Sequence, residues 1–211
     1  MTIEPLREIR IRTPRLELRL PTHEEIVELY RVAEGGIHPP DEMPFAVAWT
    51  DNLDLDEFTE FHESRIRDWT PASWECTFVT FLEGRAIGTQ GISALDFERE
   101  RTVATGSWLG ASFQRRGYGF EQRAAVLDFA FRGLGAVAAT SGALIHNVAS
   151  QRISEKLGYR VTGMSEVAPR GEPVAHYDYR IERDEWRCPI DVRIEGLEPA
   201  LPSFGAATRS R

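Results

Sequence analysis

The stretch "SFQRRGYGFEQRAAVLDFAF", residues 112–131, decides how the rest of the chain reads. Gly117 and Gly119 follow a Gln-Arg-Arg triplet and precede an amphipathic run in which Ala124, Leu127 and Phe131, with Ala125 and Phe129, recur at helical spacing. The segment just before it, ATGSWLGAS at 104–112, reads as a strand. A strand that passes through a glycine-rich turn into a helix aims unpaired backbone N–H groups and the positive end of the helix dipole at one spot. Such a spot attracts phosphate. Glycine at 117 and 119 lets the backbone come close where a Cβ would collide, and Arg115 and Arg116 add charge at the rim. The familiar nucleotide fingerprints do not fit: a dinucleotide motif needs a third glycine where Gln122 stands, and a P-loop needs Lys-Ser or Lys-Thr where Phe120 and Glu121 stand. Taken alone, the glycines are equally compatible with a plain boundary between two elements.

Outward from that turn, the pattern alternates between strand and helix periods. Leu16, Leu18 and Leu20 alternate with polar residues as a strand, and Thr22 caps a helix that ends at Gly35-Gly36. A loop rich in proline and aromatics, IHPPDEMPFAVAWT, is either an ordered substrate-facing loop or a connector. A second helix spans 53–69. CTFVTF and AIGTQGIS form a hairpin about Glu83-Gly84-Arg85. After the helix of about 118–131 come a strand at 136–144, a short helix at 150–157, and strands at 159–167 and 174–182. The order predicts an α/β (α+β) fold with one mixed sheet flanked by helices. Residues 1–189 read as one domain, and 190–211, with weak periodicity, as a mobile C-terminal tail.

A second constellation lies in "HNVASQRISEKLGYRVTG". Asn147, Ser150 and Ser154 are spaced i, i+3, i+7 and share one helical face, with Asn147 at its mouth. Either that face meets solvent, or it lines a cleft where an amide and two hydroxyls hold a thioester and its departing thiolate.

Together these stretches resemble the GNAT acetyltransferase superfamily, its RimJ/RimL-like branch in particular. The pyrophosphate signature stands as Gln114-Arg115-Arg116-Gly117-Tyr118-Gly119, the preceding strand motif as Gly106-Ser107-Trp108-Leu109, and the later motif as Asn147, Ser150, Lys156, Leu157, Gly158 and Tyr159. With "IRTPRLELRLPTHEEIVELY" and "YRIERDEW" at the two ends, the resemblance covers about residues 9–187.

The resemblance implies a mostly antiparallel twisted sheet with a splayed strand pair that receives an acyl-coenzyme A, acetyl-CoA or a bulkier donor such as succinyl-CoA. It implies that backbone at Trp108, Leu109 and Ala111 pairs with pantetheine, that the amides of Gln114 to Gly119 hold the pyrophosphate, and that Asn147 reaches the pantetheine arm. It implies direct attack of a neutral amine on the thioester, and a homodimer by family habit. The chain also departs from the pattern. Ala104 stands where many relatives carry a glutamate base, which leaves Asp96, Glu98 or Glu100 of the preceding loop, or His38 or an acid of the proline-rich loop, as substitutes. Ser154 aligns with the tyrosine that protonates the leaving thiolate, and Ser150 is the better candidate for that role or else an N-cap. These departures keep a second reading open, a GNAT-fold module that binds acyl-CoA as a sensor without turning it over.

Composition narrows partners. The net charge of -8 argues against nucleic acid and anionic membrane as partners. From His23 to Asp68 there are 13 acidic against 3 basic residues, a stretch that repels phosphate and attracts amines. The resemblance implies that the acceptor pocket lies against it, between the first two helices and the last strand pair, with Asp41, Glu42, Phe45 and Trp49 as candidate lining residues. No apolar run approaches the ~20 residues of a membrane span and no signal-peptide segment opens the chain, so a cytoplasmic location is expected. Cys76 and Cys188 lack metal or redox spacing, and no metal is expected.

Overall fold

The structure, a computed structural model, describes residues 4–206. The first half comprises α1 (Glu4–Arg7), β1 (Arg10–Arg12), β2 (Leu16–Arg19), α2 (His23–Glu34), α3 (Leu55–Arg67), β3 (Ser73–Leu82) and β4 (Arg85–Leu95). The second half comprises α4 (Phe97–Glu100), β5 (Thr102–Leu109), α5 (Tyr118–Asp128), β6 (Ala138–Leu144), α6 (Val148–Lys156), β7 (Arg160–Val167), β8 (Val174–Glu182) and β9 (Arg193–Glu195). Among the described residues, nine strands form one sheet in the order β7-β8-β6-β5-β4-β3-β2-β1-β9. Only β5 and β6 run parallel; the other neighbours are antiparallel. The mixed, mostly antiparallel sheet expected from the sequence is therefore present.

Strand alternation divides the sheet into two faces. On one, Phe78, Ile92, Val103, Leu109, Ala143, Tyr179 and Ile181 pack under α5, whose Ala124, Leu127 and Phe131 face them in the main core. On the other, Val79 and Phe81 pack with Ile26 and Leu29 of α2 and Phe58 of α3, against which Trp49 and Trp108 lean. Local signals explain where the helices begin. Thr22 and Glu25 form a capping box at α2, and Asp54 Oδ1 accepts the Glu57 N–H at α3.

The expected mobile tail does not match the packing of residues 190–206. β9 pairs with β1, and a 3-10 helix, Glu198–Phe204, buries Ala200, Leu201 and Phe204. The Trp69 and Trp74 indole N–H groups donate to the Ser203 and Phe204 carbonyls. A three-residue strand followed by 3-10 turns repeats at neither 2 nor 3.6 residues, so periodicity gives no sign of it. The remainder of the predicted tail, 207–211, lies outside the described residues.

Candidate active site

The site starts from a failure of pairing. β5 and β6 are in register from Thr102↔Ala138 to Thr105↔Ser141 and no further, while β5 stays bonded to β4 as far as Leu109↔Gly88. The β6-facing edge of residues 106–109 is therefore without a strand partner, although the Leu109 carbonyl accepts from the Gln114 side chain and the Gly106 carbonyl from the Gln90 side chain.

The chain leaving that edge turns through a 3-10 segment, Ala111–Phe113, and enters α5 after Gly117, whose φ of 83° is the left-handed conformation glycine adopts without strain. Arg115, at φ 59°, takes the same region. Among the described residues, no acceptor is found for the backbone N–H groups of residues 115–120; the first bond into the helix is from the Glu121 N–H to the Gly117 carbonyl. Six unbonded donors thus gather at a helix N-terminus, a place that favours an anion; five of them, residues 115–119, are among the six expected at 114–119. Arg115 and Arg116 are exposed and in no ion pair among the described residues. Gly119 lies against α6, since a Cβ there would stand 3.2 Å from Ile153 Cδ1.

Two of the expected donors are spent internally. The Gln114 N–H donates to the Ala111 carbonyl, and the Ala111 N–H to the Gly36 carbonyl at 2.9 Å. The Gln114 side chain donates to the Ile37 carbonyl at 2.6 Å and the Leu109 carbonyl at 2.8 Å, so it braces the turn against the end of α2. Below the turn, Glu121 is buried and accepts from Arg15 Nε at 2.6 Å and Thr13 Oγ1 at 2.5 Å. Arg15 Nη1 also donates to the Arg116 carbonyl at 3.0 Å. The turn is thereby fixed from three sides.

The α6 constellation is rearranged relative to expectation. Asn147, not Ser150, is the N-cap: its Oδ1 accepts the Ser150 N–H at 3.1 Å, and its Nδ2 donates to the Pro44 carbonyl at 3.2 Å. Each end of the amide thus makes one internal bond, with one N–H and one lone pair left over. Ser154 is 0% exposed, and its hydroxyl donates to the Ser150 carbonyl. No open cleft reaches it.

What the two serines do share is Arg123. This α5 residue is 4% exposed. Its Nη1 donates to Ser154 Oγ at 3.0 Å, and its Nη2 to Ser107 Oγ at 3.3 Å and Ser150 Oγ at 3.4 Å. Among the described residues Nε has no partner, and no carboxylate pairs with the group. Burial pushes its pKa down, yet a guanidinium stays charged in proteins. Ser107 lies two residues beyond the last β5–β6 pair, so an uncompensated buried cation stands at the mouth of the splay. Such a group stabilises an anion brought to it. The sequence held one clue, since Arg123 stands four residues before Leu127 and eight before Phe131, in line with the core face.

On the opposite face of the sheet, Phe45 and Trp49 are half-buried in an aromatic cluster with Trp108, the Trp49 and Trp108 rings lying 5.6 Å apart. Asp41 and Glu42 are exposed. The proline-rich loop is pinned: His146 bonds the Met43 carbonyl at 2.7 Å, and Arg170, from the β7–β8 turn, bonds Asp51 and the Pro40 carbonyl. Of the substitute bases, His38 has both ring nitrogens engaged, by the Pro39 carbonyl and Thr50 Oγ1. Asp96 and Glu98 belong to the turn around α4. Glu100 reaches an open groove of about 650 Å³ that Glu75, Ser93, Ala104, Thr140 and Arg180 also line. Among the described residues no group of three His, Cys, Asp or Glu is placed to hold a metal, and no helix is long and apolar enough to cross a membrane.

Fold and site thus combine a sheet that splits between β5 and β6 with a helix N-terminus whose preceding N–H groups are unbonded among the described residues. Residues 15–160 match the family model described as an acetyltransferase (GNAT) domain, and the chain belongs to that family. Similar solved structures include a GNAT-family acetyltransferase from Bacillus anthracis, 18% identical with a TM-score of 0.67, covering 83% of this chain and 99% of that one. RimL, the ribosomal L7/L12 alpha-N-protein acetyltransferase, solved with coenzyme A, is 16% identical with a TM-score of 0.63, over 81% and 95% of the two chains. The microcin C7 self-immunity acetyltransferase MccE, solved with acetyl-CoA and AMP, is 14% identical with a TM-score of 0.63, over 80% and 93%.

Proposed function

We propose that this protein is an acyl-CoA-dependent N-acyltransferase, with acetyl-CoA as donor and a cationic amine as acceptor. The observation that carries the reading is the juxtaposition at β5: a strand edge freed at Thr105↔Ser141 leads directly into six unbonded N–H groups at residues 115–120. A pantetheine chain adds to the former and a pyrophosphate to the latter. Arg123 and Ser150 then stand where the C–S bond breaks, and the guanidinium stabilises the leaving thiolate in place of the tyrosine that Ser154 replaces. The acidic α2–α3 wall and the aromatic cluster of Phe45, Trp49 and Trp108 favour a cationic acceptor, a small amine or a protein N-terminus. An α-amine, with a pKa of about 7.8, is neutral to roughly 15% at pH 7 and needs less help from a base than a lysine. A cytoplasmic location agrees with the use of acyl-CoA.

A second reading, a binding module without turnover, is favoured by one observation, the alanine at 104 beside the groove. Thermal unfolding against acetyl-CoA, succinyl-CoA, free coenzyme A and NADH tests the proposal. A selective donor at 100 times its Kd raises stability by about 2.7 kcal/mol. Acetyl-CoA should stabilise more than NADH, and incubation with amines should release free thiol. A larger rise with succinyl-CoA would change the donor assigned; no response to any coenzyme A compound would end the acyltransferase reading.

A further inference from the structure

The α2–α3 face of the splay carries a histidine that no motif singled out. In β8, Tyr177, Tyr179 and Ile181 turn to the α5 side, so His176, Asp178 and Arg180 turn to the other, where Arg180 lines the groove with Ala104 and Thr140. Ala104 and Thr140 are paired across β5 and β6. Gly142 is the next β6 residue on that face, about 6.6 Å farther along and past the end of the ladder. The His176 ring lies directly on it: a Cβ at Gly142 would fall 2.0 Å from the ring's Cε1 and 2.3 Å from Nε2. Glycine is the residue that admits the ring here. A mostly covered imidazole, 19% exposed, therefore borders the opening one step beyond the position where Ala104 leaves no acid.

The ring is oriented from behind. Nδ1 lies 3.2 Å from Asp178 Oδ1, and Ser165 Oγ donates to that same oxygen at 3.1 Å while standing 3.4 Å from Nδ1. A neutral ring that donates Nδ1–H to the carboxylate keeps a lone pair on Nε2, the atom lying over Gly142. The charged groups facing His176 are Asp178 and Arg180 of its own strand, the latter bonded to Glu182. β7 offers Gly163, Ser165 and Val167 on this face and, farther along opposite Arg180, Arg160, which is paired with Glu185; β6 offers Thr140, Gly142 and Leu144, none of them charged. Across the opening stands the acidic loop, with Asp51 held by Arg170 and Asp41 nearby.

We propose that His176, held by Asp178 and Ser165, is the general base that makes the acceptor amine nucleophilic. This rests on the acyltransferase reading. The acceptor ammonium gives one proton to His176 Nε2, and Asp178 stabilises the imidazolium. The neutral nitrogen attacks the thioester carbon, the C–N bond forms and the C–S bond breaks. The thiolate takes the proton that the new amide nitrogen sheds, and His176 returns its own proton to water. The dyad relieves the absence of an acid at Ala104.

Two measurements test this. The first is NMR of the ring nitrogens of the whole protein, which needs no acceptor: His176 should be the Nδ1–H tautomer when neutral, and its ring signals should shift when acetyl-CoA is added. An Nε2–H tautomer overturns the proposal. The second is acetyl transfer from acetyl-CoA to propylamine and to trifluoroethylamine by wild type and His176→Gln. The glutamine variant should lose about 100-fold or more in kcat/KM with propylamine, which must be deprotonated. It should lose less than about 3-fold with trifluoroethylamine, a weak base already neutral at pH 7, and free imidazole should restore part of the deficit. Equal losses with both amines, or none, would make His176 a packing residue of Gly142. Thermal stabilisation by acetyl-CoA is read in parallel on both proteins: its absence in wild type indicts the acyltransferase reading, and its retention in the variant with loss of propylamine turnover supports the base.

Discussion

Arg123 is a cation in a place where the chain supplies only hydroxyls, and that imbalance separates its two states. Without a ligand, the guanidinium is desolvated and uncompensated, a cost that a methionine of similar length would not bear. With a thioester in place, the same charge meets negative charge growing on sulfur. Arg123→Met is therefore expected to unfold no earlier than wild type in the absence of donor, with a gain of about 1 kcal/mol. Its kcat for acyl transfer should fall about 100-fold, a loss typical of removing one preorganised donor, with the KM for acetyl-CoA nearly unchanged. Steady-state kinetics and ligand-free thermal unfolding together check this. An early-unfolding variant with normal kcat would show that Arg123 is a strut between α5 and α6.

Asn147 carries a similar distinction at the level of an element. α6 is nine residues long, too short to stand without help at its ends, and Asn147 caps it while tying it to the proline-rich loop at Pro44. Asn147→Ala should cost about 1 kcal/mol in unfolding free energy. Asn147→Asp keeps the capping oxygen and should restore that stability while losing the bond to Pro44, so any remaining defect in turnover belongs to the loop. Denaturant unfolding of both variants separates the two effects, and an aspartate as unstable as the alanine would refute the cap. The elements themselves were largely legible in the sequence, because Thr22, Gly117, the Glu83-Gly84 turn and the alternating leucines are local signals that tertiary packing did not override. The run of unbonded N–H groups before α5 was legible for the same reason, expected over 114–119 and found over 115–120. The occupation of Asn147, Gln114 and Ala111 was not, since their partners Pro44, Ile37 and Gly36 come from another layer. Arg123 and His176 stayed hidden because their meaning depends on which strand edge fails to pair.

At the scale of the whole molecule, the C-terminal segment closes the fold at a place remote from the splay. β9 extends the sheet beyond β1, and Phe204 packs edge-on against Trp69, Trp74 and Phe129. Phe129 follows α5, the helix that carries the N–H cluster at its other end, and meets Phe78 of β3 edge-on in turn. The segment thus completes the core on which α5 rests. Phe204→Ala leaves a cavity among three aromatic rings and should cost about 3–5 kcal/mol. That is a large part of the roughly 5–15 kcal/mol that stabilises a typical domain. Truncation after Pro189 also orphans the Trp69 and Trp74 indole donors, each worth about 1 kcal/mol or more when left buried without an acceptor. The truncated chain should therefore fail to fold cooperatively, whereas Phe204→Ala should fold with a lower midpoint and recover part of it on adding acetyl-CoA. Calorimetry decides the matter: a truncated protein melting like the full chain would mean that the core around Phe129 is complete without its C-terminal cover.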